Sequence, residues 1–229
     1  MSEVDLAVTE LRALNQALHA LTPTTNETNW RILNPRGRHS IAVGVDAPVT
    51  IEIAGHAGYY CAGMNQQARI IIAGNAGVGV AENMMSGFVH VRGDASQAAG
   101  ATAHGGMLVV DGNASARCGI SLKGADILVK GSVGHMSAFM AQAGTLTVLG
   151  DAGESLGDSI YEAHLYVRGR IASLGADCIE KPLHDFHRGE LFAKLEAAGV
   201  AGEVDVAEFR RYGTGRTLYN FHVDNAGQY

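Results

Sequence analysis

From Thr50 to about Lys181 the chain alternates apolar and polar residues in short bursts, and each burst ends on a glycine. The bursts read apolar-x-apolar-x-Gly. Their apolar pairs are Ile51/Ile53, Ile70/Ile72, Val89/Val91, Leu108/Val110, Ile127/Val129, Leu146/Val148 and Leu165/Val167. The closing glycines are Gly55, Gly74, Gly93, Gly112, Gly131, Gly150 and Gly169, spaced 19 residues apart without insertion or deletion. Alternation with period two predicts a strand with one face inward. A fixed period near 20 residues predicts a stacked repeat, in which no unit buries its own apolar face and neighbours complete a continuous core.

Other positions repeat at the same phase. Two residues after the glycine stand Ala57, Ala76, Ala95, Ala114, Val133, Ala152 and Ile171. Seven after it every residue is Ala or Gly: Ala62, Ala81, Gly100, Gly119, Ala138, Gly157 and Ala176. Gly74-Asn75, Gly93-Asp94, Gly112-Asn113 and Gly150-Asp151 read as corners, because glycine tolerates positive φ and Asn or Asp bond their own backbone at turns. Two further short strands are expected in each unit. The predicted fold is mostly β: a right-handed parallel β-helix of about seven 19-residue coils, on the order of 30 Å long at the usual strand spacing. Helical repeats would need longer units and apolar spacings of three and four.

The flanks read differently. Leu6, Leu11, Leu14, Leu18 and Leu21 fall mostly on one helical face, which predicts an amphipathic helix over 3–21 that covers an apolar surface or an open end of the repeat, with a docking helix for a partner as the alternative. A polar linker follows to residue 29, and Trp30–Pro35 and Ser40–Val45 look extended. Beyond the repeat, Phe186–Ala198 reads as a helix ended by Gly199. A short helix over Val206–Arg211 and a strand-like Thr217–Phe221 complete the chain. The expected domains are therefore 1–29, N-terminal helix and linker; 30–181, β-helix; and 182–229, C-terminal helical extension. The tail FRRYGTGRTLYNF is locally basic and is read as a solvated face, with a dock for an acidic partner as the alternative.

Two outward columns change the picture. Just before the glycines, Arg92, Asp111 and Lys130 should be neighbours of alternating sign, a favourable cross-strand series. Two positions earlier come Glu52, Ile71, His90, Val109, Leu128, Thr147 and Tyr166, too apolar for open solvent. Either the chain's own terminal helices or a partner subunit must cover them.

Composition then excludes whole classes. The 229 residues carry 17 Lys and Arg against 23 Asp and Glu, a net charge of -6, so no basic surplus exists to neutralise nucleic-acid phosphates. Three scattered cysteines, Cys61, Cys118 and Cys178, fit a reducing compartment better than a disulfide framework. The N-terminus does not read as a secretory signal, and no apolar run approaches the length of a membrane span. A cytoplasmic location is expected.

Candidate chemistry is sparse. Gly74-Asn75-Ala76-Gly77-Val78-Gly79 superficially suggests a dinucleotide turn, but a strand pattern follows where a helix is needed. His184, Asp185 and His187 have a helix-compatible spacing for metal ligation, against which stands the plain role of a polar helix start. His104 and His135 lie at different phases and do not stack. Cys61 and Cys118 share a phase three coils apart, about 14 Å on the strand spacing, too far to bridge or share a metal. The sequence thus assigns no catalytic, cofactor-binding or metal residues.

The units TIEIAGHAGYYCAGM, RIIIAGNAGVGVAENMMSG and FVHVRGDASQAAGATAHGG resemble the GXGXG domain, the C-terminal β-helix of the glutamate synthase large subunit. That domain also occurs in one component of formylmethanofuran dehydrogenase. The flanks NWRILNPRGRHSIAVGV and EFRRYGTGRTLYNF are similar to the stand-alone glutamate-synthase-domain proteins of bacterial methylamine pathways, which form one component of N-methylglutamate synthase. The resemblance implies a three-part enzyme. A glutamine amidotransferase-like subunit and a synthase subunit with FMN and an iron–sulfur cluster would be joined by this β-helix. The implied reaction turns glutamate and methylamine into N-methylglutamate and ammonia. The alternative is a β-helix component of a formyltransferase/hydrolase complex in one-carbon metabolism. On either resemblance the chain contributes packing rather than catalytic residues and binds no cofactor alone.

Overall fold

A computed structural model describes residues 1–216 of the chain. It is a parallel β-solenoid of about seven regular turns with two helices. The repeat strands are β3 (Thr50–Ile53), β4 (Arg69–Ile72), β5 (Phe88–Val91), β6 (Met107–Val110), β7 (Lys123–Val129), β8 (Ala143–Val148) and β9 (His164–Val167). They pair in parallel at the 19-residue offset, Ile51 beside Ile70, Ile70 beside Val89, and so on to Leu146 beside Leu165. The inward residues of every pair are buried and form one continuous core.

The strands are joined in a sheet that begins earlier than the repeat. The residues expected to open a helix at position 3 instead form β1 (Ser2–Asp5), which pairs in parallel with β2 (Asn29–Leu33). Its offset to β2 is 28 residues, because the helix α1 (Leu11–His19) is looped out between them. Leu6, Leu14 and Leu18 of this excursion are buried in the main core, so α1 seals the open end of the stack. Ser40–Val45, expected to be extended, is a turn: Ser40, Ala42 and Gly44 have φ of 57°, 54° and 67°, in register with the turns of later coils.

The expected second and third strands of each coil are not strands. The second is a ladder of single-residue bridges, Ala57 to Ala76 to Ala95 to Ala114 to Val133 to Ala152 to Ile171. The third is a turn in which alternate residues are left-handed: Tyr60, Ala62 and Met64 at φ 58°, 56° and 54°, then Gly79, Ala81 and Asn83. The N–H groups of these alternate, left-handed residues point by turns to opposite neighbours. Tyr60 and Met64 donate to Val78 and Glu82 of the next coil, and Ala62 to Ile41 of the previous one. The left-handed cost of about 1–2 kcal/mol per residue is thus set against the bonds that these N–H groups make to both neighbouring coils. The middle residue is also core-facing, which explains the Ala/Gly rule at that phase. A side chain on Gly100 would meet Ile127 Cδ1 at 2.5 Å.

The corner glycines have a different cause from the one expected. Of the seven, only Gly55 has positive φ, 147°. The others sit where coils approach too closely for a side chain: a Cβ on Gly131 would lie 2.6 Å from both Gly112 O and Asn113 Oδ1. The side chain after each of the first six glycines bonds not its own backbone but the next coil. Nδ1 of His56 accepts from Asn75 N–H at 2.9 Å, Asn75 Oδ1 from Asp94 at 3.0 Å, and Asp94 Oδ1 from Asn113 at 2.7 Å. The series continues through Asn113, Ser132 and Asp151 to Arg170 N–H. Glycine and acceptor are one device: the acceptor fills the space that the missing Cβ leaves.

At the far end, β10 (Cys178–Lys181) and β11 (Arg210–Thr214) join the same sheet. Strand β11 lies antiparallel between β9 and β10. The basic tail is therefore not a solvated face over residues 209–214: Phe209 and Tyr212 are buried. The expected helix over Val206–Arg211 shrinks to one 3-10 turn, Val206–Glu208, before β11 begins. The second helix, α2 (Asp185–Ala197), matches expectation, and Gly199 terminates it at φ 76° while its N–H bonds back to Glu196 O. The strand expected at Thr217–Phe221 lies outside the described residues.

Candidate functional site

From Val109 to Tyr166 the outward apolar column is covered by the chain's own C-terminal segment, while Ile71, nearer the N-terminal end, is only half-buried and lies outside that cluster. Val109, Leu128 and Tyr166 of the column are at most 1% exposed and pack with Leu191, Leu195, Val200 and Phe209. Residue spacing explains how helix α2 takes this position. Leu191 and Leu195 lie four apart on the face toward the sheet, and Glu190 and Lys194 lie beside them, also four apart. The polar pair then finds polar partners on the strands. Lys194 Nζ donates to Asp126 Oδ2 at 2.7 Å, and Asp126 Oδ1 accepts from Thr145 at 2.8 Å. Glu190 Oε2 contacts His164 Nδ1 at 2.8 Å and also accepts from the Tyr166 hydroxyl.

This cluster holds the most strongly perturbed ionisable groups of the lid. Burial pushes the Glu190 carboxyl up, but the His164 and Tyr166 bonds outweigh it and hold the group down to about 2. Burial, with the Arg211 and His164 charges nearby, holds His187 down to about 4. Burial and then Glu190 push the Tyr166 phenol up, so it stays a donor. Each group is engaged by a fixed partner, and together they position α2 rather than converge on an open space.

The residues weighed from sequence fall as follows. His184 and His187 start α2 and cap it reciprocally, His187 Nδ1 accepting from His184 N–H at 3.2 Å. His187 approaches His164 at 5.4 Å between ring centroids. Among the described residues no three His, Cys, Asp or Glu side chains are placed to hold a metal ion. His104 and His135 are exposed and apart. Cys61, Cys118 and Cys178 are free buried thiols, each pushed up to about 12 by burial. In the charged column Asp111 does meet Lys130, at 3.0 Å, but its second partner is His90 at 2.9 Å rather than Arg92, which is exposed. The Glu190 and Lys194 contacts are the feature that sequence reading missed. Their signal was present in the four-residue spacing beside Leu191 and Leu195.

No family model matches the chain, and no solved structure matches it. It is 56% identical over 229 residues to Protein GlxC of Rhizobium meliloti (strain 1021), with 100% of each chain covered. The chain belongs to the GlxC family. The alignment to GlxC spans the cap α1, every coil and the lid α2 alike.

Open grooves also mark the described surface of this GlxC-family solenoid. One, of about 490 Å³, follows the corner past Ser132, Asp151 and Arg170. Arg170 is already engaged there by Asp151 at 3.2 Å. Another, of about 500 Å³, lies beside Phe192, Val204 and Glu208 at the edge of the lid. Among the described residues no helix is long and apolar enough to cross a membrane.

Proposed function

We propose that this chain is the structural β-helix subunit of a glutamate synthase-like enzyme, most specifically of N-methylglutamate synthase. In this reading it joins a glutamine amidotransferase-like subunit to an FMN- and iron–sulfur-containing synthase subunit. The complex converts glutamate and methylamine to N-methylglutamate and ammonia, and this chain contributes no catalytic residue. The observation that carries the proposal is where the polar side chains go. The corner acceptors bond the next coil, and the ionisable groups of the sheet's outer face hold the lid. A body with its polar groups committed to its own rigidity suits a spacer between active sites. Full-length membership of the GlxC family fits this reading.

The test is reconstitution. The chain is co-expressed with an amidotransferase-like and a flavin synthase-like subunit, and N-methylglutamate formation from glutamate and methylamine is measured. The expected result is a three-part complex whose turnover disappears when this chain is omitted. A flavoprotein that turns over equally well without it overturns the proposal. Co-purification with amidohydrolase-like and formyltransferase-like proteins, and no flavin, would replace it with the one-carbon alternative.

A further inference from the structure

We draw no further inference here: the strongest candidate, the groove at the edge of the lid where Phe192, Val204 and Val206 lie among the carboxylates of Glu203, Asp205 and Glu208, joins an apolar face to an acidic cluster whose Glu208 already pairs with Arg168 at 3.7 Å, and nothing in the structure shows what covers it.

Discussion

Replacing Gly131 by alanine separates two explanations of the corner glycines by the sign of its effect. Gly131 does not have positive φ, so with free space a methyl group would stabilise the protein by about 0.4–1 kcal/mol through the unfolded chain. The structure leaves no free space. The added Cβ would sit 2.6 Å from Gly112 O, 2.8 Å from Gly112 C and 2.6 Å from Asn113 Oδ1. The Asn113 side chain can swing away, but only by giving up its 2.9 Å bond from Ser132 N–H, worth about 1 kcal/mol. The Gly112 carbonyl accepts from Gly131 N–H at 2.9 Å and cannot retreat without spreading the coils. Overpacking of this kind costs about 1–3 kcal/mol. The net expectation is a loss of about 1.5–3 kcal/mol, or roughly 3–12 °C in thermal midpoint for a chain of this size. Urea titration of wild type, Gly131→Ala, Asn113→Ala and the double variant measures it. The double variant should cost less than the two singles together, by about the energy of the Asn113 bond. A Gly131→Ala protein as stable as wild type, or more so, refutes the close-approach account.

Other expectations follow from the lid. Gly189 lies inside α2, and a Cβ there meets nothing within 4 Å, so Gly189→Ala should stabilise by about 0.5–1 kcal/mol, read from the same titration. Leu195→Ala empties a fully buried position of the lid cluster and should cost about 2–5 kcal/mol, with faster hydrogen exchange in α2 and little change in the coils. Acid should loosen α2 in two stages. His187 has a folded pKa of about 4, below its ordinary 6.5, so its contribution is whole above pH 6.5 and is lost as pH falls to about 4. Glu190, at about 2 against an ordinary 4.5, contributes fully above pH 4.5 and loses that contribution toward pH 2. Hydrogen exchange in α2 that is constant from pH 7 to 3, after correction for intrinsic rates, contradicts this order.

The architecture was legible in the order of residues alone. A 19-residue period with paired inward aliphatics leaves one way to bury those side chains, in-register stacking, and β3 to β9 stack in that register. The Ala/Gly phase and the helix stopped by Gly199 were legible too, since both follow from the character of a single residue. The remaining features depend on contacts between residues far apart in the chain, which no local pattern encodes. Whether Ser2–Asp5 became helix or strand depended on a free sheet edge at β2. Whether Phe209 and Tyr212 met water depended on a slot between β9 and β10. The corner glycines looked like sites of unusual φ, yet six of them answer to the coil above or below, a neighbour 19 residues away. Local pattern fixes which faces must be buried; only the assembled stack settles what lies against them.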